Sequence, residues 1–196
     1  MNFRRTIPLV MIGALLPGHG ANQNQAKSPV QEQSGFSYEL EIDPIQKPVA
    51  LSEVALQVLA KDELIRSCLD RRNLAPEKLP ANWFVASQIH LDGPKEIDLI
   101  VLPSGRLPDT PRGEISANAC LVGANTGGFW VLHGTSTGYQ LVLSQKAHSL
   151  DVLKTRSNGL RDFQLYTISL SENTIQDFKF DGRKYVLFRT NTRPNG

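Results

Sequence analysis

The chain has 196 residues, with 21 Lys and Arg against 19 Asp and Glu, 40% hydrophobic and 20% charged residues, 15 Gly, 12 Pro and two Cys. That length builds one domain with a buried core but not two of ordinary size, and the charged fraction is too low for wholesale disorder. Two cysteines exclude a disulfide-dense mini-protein and a four-cysteine zinc site.

Residues 1–21 read as a secretory signal peptide. Arg4 and Arg5 supply positive charge, Ile7 to Leu16 form a short apolar run, and the small residues Gly18, Gly20 and Ala21 follow. The run is about half of the roughly 20 residues a membrane-crossing helix needs, so no membrane span is expected once the leader is removed. Cleavage is expected after Gly20 or Ala21, with Ala26 as a later alternative. Its loss takes two Arg and no acid, leaving 19 basic and 19 acidic side chains. A neutral chain lacks the electrostatic footprint of a nucleic-acid or anionic-lipid binder. The expected location is the periplasm or the medium. An oxidising compartment there predicts a Cys68–Cys120 disulfide, with two separately buried thiols as the alternative. Closing that loop of 52 residues is worth about 4 kcal/mol by chain entropy.

Residues 22–34, rich in Asn, Gln, Ser and Lys, are expected to be a disordered mature N-terminus. Phe36 to Ile42 alternates strictly and predicts a half-buried strand, ended by Pro44 and Pro48. One helix is predicted from about Glu53 to Arg72. Ser52 is placed to cap it, Leu51 and Leu56 to staple it, and Val54, Val58, Ile65, Cys68 and Leu69 to form its apolar stripe. Arg71 and Arg72 suit its negative end. A bond to Cys120 would then pin this helix to the sheet.

From Trp83 the period becomes that of strands. The expected strands are Trp83–Leu91, Ile97–Leu102, Phe129–His133, Tyr139–Ser144, Leu150–Leu153, Phe163–Ser169, Ile175–Phe180 and Tyr185–Phe188. Asp92-Gly93-Pro94-Lys95 and the run Gly134 to Gly138 read as turns. Asp181-Gly182 predicts a type I′ hairpin, which needs positive φ at both central residues. The expectation is a mostly-β (α+β) domain over residues 35–192, an antiparallel meander or blade-like sheet with one packed N-terminal helix. Residues 103–119 interrupt it with three Pro, two Gly and little to bury. Two readings fit: a mobile insertion, or a binding loop carrying Arg106, Asp109 and Arg112.

Asp92-Gly93 precedes the strand Ile97-Asp98-Leu99-Ile100-Val101, and Asn158-Gly159 precedes Arg161-Asp162-Phe163-Gln164-Leu165. In this echo the stretch from His90 to Phe188 resembles the blades of FG-GAP-type β-propeller repeats. It also resembles uncharacterised secreted bacterial proteins ending in a Phe180-Asp181-Gly182-Arg183-Lys184-Tyr185 type of segment. The resemblance implies blade-like sheet and, where acids alternate, a calcium loop. Asp92 to Asp98 lacks that alternation, so no calcium ligands carry over, and two echoes do not close a propeller.

Gly134-Thr135-Ser136-Thr137-Gly138 matches G-x-S-x-G. That motif needs a helix after the serine, and here a strand pattern follows. His148 is the only later histidine, with no acid between 137 and 147. His90, His133 and His148 lack metal-ligand spacing and read as surface or edge residues. Glu96 with Asp98, and Asp151 with Asp162, are the carboxylate pairs a glycoside hydrolase could use, though turn and strand-edge roles suit them better. Trp83 and Trp130 read as core. Phe129 and Trp130 face opposite sides of a strand, which makes Trp130 the candidate binding aromatic. No catalytic residue, metal or cofactor is assigned. The expected function is an exported, non-enzymatic binding or structural domain of the cell envelope, acting on a protein or envelope ligand. An inhibitor of a cell-wall hydrolase belongs to that class. The alternative is a small envelope hydrolase using carboxylates or Ser136.

Overall fold

A computed structural model describes residues 33–39, 48–93, 97–105, 110, 112 and 115–195. The expected leader and most of the expected disordered segment lie outside them. The described residues belong to one compact unit, Gln31–Gly196. Among them, no helix is long and apolar enough to cross a membrane.

The domain is mostly β, with two antiparallel sheets and two short helices. The central sheet has the order β2 (Pro48–Val49), β3 (Phe84–Ile89), β4 (Asp98–Pro103), β5 (Gly127–Thr135) and β6 (Gly138–Ala147). The outer sheet has the order β1 (Gln33–Glu39), β7 (Ser149–Ser157), β8 (Leu160–Ile168), β9 (Glu172–Phe180) and β10 (Tyr185–Pro194). Only His148 separates β6 from β7, so the chain passes between sheets in a single residue.

The central sheet is covered on both faces. Leu99, Val101, Trp130 and Leu132 pack with the helices, while Ile100, Leu102, Phe129 and Val131 pack with Leu150, Phe163, Leu165 and Phe178 of the outer sheet. Both Phe129 and Trp130 are therefore fully buried. The expectation that Trp130 meets a ligand is corrected: its outward face is roofed by helices. Gly128 lies two residues before it on the same face. A Cβ there would sit 2.1 Å from the Trp130 ring, so the glycine makes room for the indole.

The predicted single helix is two. α1 spans Glu53–Leu59 and α2 spans Glu63–Arg71, parted at Asp62, whose backbone is extended (ψ 139°). Asp62 Oδ1 accepts from the Leu64 and Ile65 amides at 3.1 and 3.2 Å and from Trp130 Nε1 at 2.9 Å. A buried indole N–H needs an acceptor, and the residue that supplies it is also the cap of α2. Ser52 caps α1 as expected, accepting from the Ala55 amide at 3.2 Å. The apolar stripe differs from the predicted one. Val54 is 47% exposed, and Ala55 and Leu59 turn inward instead.

Cys68 and Cys120 are joined, with Cα atoms 5.5 Å apart. Cys120 sits in a short 3₁₀ turn, Ala119–Leu121, so the bond ties α2 to the end of the long loop rather than to a strand. Trp83 likewise ends a 3₁₀ turn, Ala81–Trp83, ahead of β3. The expected five-residue turn at 134–138 shrinks to Ser136-Thr137 because β5 and β6 run on to Thr135 and from Gly138. Positive φ at both turn positions occurs at Asn158 (46°) and Gly159 (90°), between β7 and β8. At Asp181-Gly182 only the glycine has it, at 102°. There the connection is a wider loop in which Asp181 Oδ1 accepts from the Arg183 and Lys184 amides, both at 2.8 Å.

Trp130→Phe removes one charge-assisted hydrogen bond and opens space under the helices. It is expected to lower stability by about 2–4 kcal/mol in urea unfolding. The loss should be smaller in an Asp62→Ala background, where the acceptor is already gone.

Candidate functional site

The long loop leaves β4 after Pro103 and returns at the 3₁₀ turn, and its two stems are locked together. Asn118, 1% exposed, donates through Nδ2 to the Trp83 carbonyl at 3.1 Å, to the Ser104 carbonyl at 2.9 Å and to Ser104 Oγ at 3.1 Å. Its Oδ1 accepts from Ser116 Oγ at 2.7 Å. Arg72, the C-cap of α2, donates to the Ser116 carbonyl at 3.1 Å, and the disulfide follows two residues after Asn118. One amide side chain thus closes the base of the loop, and a covalent bond holds that base to α2. Of the loop residues singled out from sequence, Arg112 is exposed, while Arg106 and Asp109 lie outside the described residues.

A second polar cluster lies where the two sheets meet near the start of β4. Asp98 is fully buried. Its Oδ2 accepts from the Leu91 amide at 2.7 Å, and its Oδ1 from the Gly134 amide at 3.0 Å. His133 Nδ1 lies 2.6 Å from Oδ1. Gly134 makes the approach feasible, because a Cβ there would stand 2.5 Å from the Ile97 carbonyl oxygen. The carbonyl of Leu91 accepts in turn from the Arg161 amide at 3.1 Å and from Arg156 NH1 at 2.6 Å. Leu91 therefore links the central sheet, through Asp98, to the outer sheet, through β7 and β8. Gln140 Nε2 adds a cross-sheet bond to the Arg183 carbonyl at 2.8 Å.

Tyr185 lies behind this cluster, its ring 4.6 Å from that of Phe163 and its hydroxyl donating to the Arg161 carbonyl. Burial first, then the charges of Asp162 and Asp98, hold its pKa far above the usual phenol range, against a smaller opposing pull from Arg156. The hydroxyl therefore stays a neutral donor. Asp162 is 4% exposed and its Oδ1 has no hydrogen-bond partner.

The geometry bears on the hydrolytic residues. Ser136 sits exposed on a strand-to-strand turn at one end of β6, and His148 at the other, roughly 30 Å apart for ten strand residues. His148 Nδ1 lies 3.2 Å from the Asn125 carbonyl oxygen. Asp151 lies opposite Gln164, on the face of the outer sheet away from the core residues Val152 and Phe163. Glu96 lies outside the described residues. A surface groove of about 560 Å³ runs beside α1 and has Glu53 and Glu77 on its walls. Both are exposed. Among the described residues no three His, Cys, Asp or Glu side chains are grouped to hold a metal.

The Asp98–His133 pair was not singled out from sequence, where Asp98 was set beside Glu96 and His133 read as an edge residue. Its two members are 35 positions apart and meet only because β4 pairs with β5. Asn118 gave no signal at all. The chain matches no protein-family model, no curated protein and no solved structure.

Asp98 serves two backbone amides as well as an imidazole, so its loss is worse than that of its histidine. Asp98→Ala is expected to cost about 3–5 kcal/mol, and His133→Ala about 1–2 kcal/mol, in chemical unfolding. Equal losses would mean the carboxylate acts only through His133.

Proposed function

We propose that the chain is exported to the periplasm or the medium and acts there as a non-enzymatic binding or structural domain of the cell envelope. The contact element is the loop between Ser104 and Asn118. The observation that carries this reading is the Asn118 clamp, reinforced by the Cys68–Cys120 bond. A polar loop held at a rigid base meets its ligand with less ordering entropy to lose. Inhibition of an envelope hydrolase fits such a display, because an inhibitor loop must enter a cleft without being remodelled. The disulfide agrees with an oxidising compartment. Asp98 ties two backbone segments together through the Leu91 and Gly134 amides.

The test compares the secreted chain with a version in which residues 105–117 are replaced by a short Gly-Ser bridge, in cross-linking to envelope extract. A specific partner should be lost while the melting temperature changes by only a few degrees. Undiminished capture by the shortened chain would remove the loop from the reading. N-terminal sequencing of the exported material should start between residues 21 and 27. An uncleaved Met1 inside the cytosol would refute export.

A further inference from the structure

We propose that β6, the open edge of the central sheet, pairs antiparallel with β6 of a second copy of this chain, so that two central sheets become one across a two-fold axis. This surface is independent of the 104–118 loop. β6 ends the strand order of its sheet, and among the described residues no strand lies beyond it. Hydrogen bonds to the backbone of residues 139–147 come, among the described residues, from β5 alone. The N–H and C=O groups on the far side of the strand therefore stand open to another chain. Ten residues is long for an edge, and natural sheets protect such a strand with charge, proline or a covering element. β6 has no proline and a single charged residue, Lys146, near its end.

The strand fits its own copy. Two identical strands pair isologously, each position meeting its counterpart as that counterpart meets it. With the axis at Gln140, Tyr139 of each copy faces Leu141 of the other, and Gln140 faces Gln140. Tyr139 and Leu141 are half-buried and pack with the helix-side core. Val54 of α1, 47% exposed, borders the same edge, since a Cβ at Gly138 would stand 3.0 Å from its Cγ1. Pairing covers this apolar strip with its own mate, and aromatic–aliphatic pairs across strands stabilise a sheet. Lys146 falls outside the run, so the two strands set no like charges against each other.

The ladder to β5 limits the length of the contact. Val131 pairs with Leu143 and Leu132 with Leu141, which leaves Val142 as an extra residue in β6. A bulge bends its strand, so the straight run that a second copy can follow is short and centred on Gln140. On the opposite face Gln140 Nε2 donates to the Arg183 carbonyl, which holds the turn 181–184 beside this run. That turn carries Asp181 with Arg183 and Lys184, so each copy brings an acid to the bases of the other. A contact this small makes a weak and reversible dimer.

The test sediments the purified protein over a range of concentrations. A monomer–dimer equilibrium with a Kd of roughly 10–100 µM is expected, and hydrogen exchange should slow at amides within 138–142 as concentration rises. Gln140→Lys sets two cations face to face and should weaken association at least about tenfold. Gln145→Lys, also exposed and on the same strand but outside the run, should leave association unchanged. Gln140→Cys should be joined to its mate by oxidation, in an intermolecular disulfide that Gln145→Cys does not form. Gln140→Lys also gives up the bond to Arg183, and if that variant unfolds the two cysteine variants decide alone. A protein that stays monomeric at about 1 mM would overturn the proposal, since the bulge would then be enough to protect the edge. So would a dimer that both lysine variants weaken equally, cysteine variants that cross-link equally, or protection confined to residues outside β6.

Discussion

A central sheet whose middle strands, β4 and β5, are buried on both faces is the constraint from which most of this structure follows. Strands β4 and β5 must be apolar on both sides, and every polar atom that enters that layer must find its partner inside the protein. Two do so at a cost to regularity. The Trp130 indole takes Asp62, and a helix that could have run unbroken is divided to supply it. The Asp98 carboxylate takes two backbone amides and an imidazole, and β5 carries a glycine at 134 to let it come close.

The same constraint explains how the outer sheet is attached. Its inner face packs on the central sheet through Phe163, Leu165 and Phe178, a contact with little direction of its own. Direction comes from the polar end. There Leu91 accepts from Arg156 and from the Arg161 amide while donating to Asp98, and Gln140 reaches the Arg183 carbonyl. Hydrogen bonds of fixed geometry set the registration of two surfaces that apolar contact alone would let slide.

What is left for function is therefore peripheral. A protein whose middle is this densely committed leaves only the parts the core does not need for contact with others. One such part is a polar loop locked at its base by Asn118 and a disulfide. Another is the far edge of the outer sheet, where Val186, Leu187 and Phe188 stand exposed on one strand. They differ in kind. The loop offers side chains from a closed stem, while the edge offers backbone.

The primary structure alone determined the class of fold. Period-two stretches from Phe84 onward, with Gly, Asn and Asp between them, specify short antiparallel strands because each must put alternate side chains, or all of them, out of water. It also determined the Ser52 cap and made the Cys68–Cys120 pairing a sound expectation, since with only two cysteines there is one way to pair. Tertiary structure alone decided the division of the helix at Asp62, the burial of Trp130 and the meeting of Asp98 with His133. It also decided the clamp at Asn118. Each of these depends on a partner 14 to 68 positions away. Local propensity carries no information about such partners, because they become neighbours only once strands pair and the two faces of the central sheet are covered.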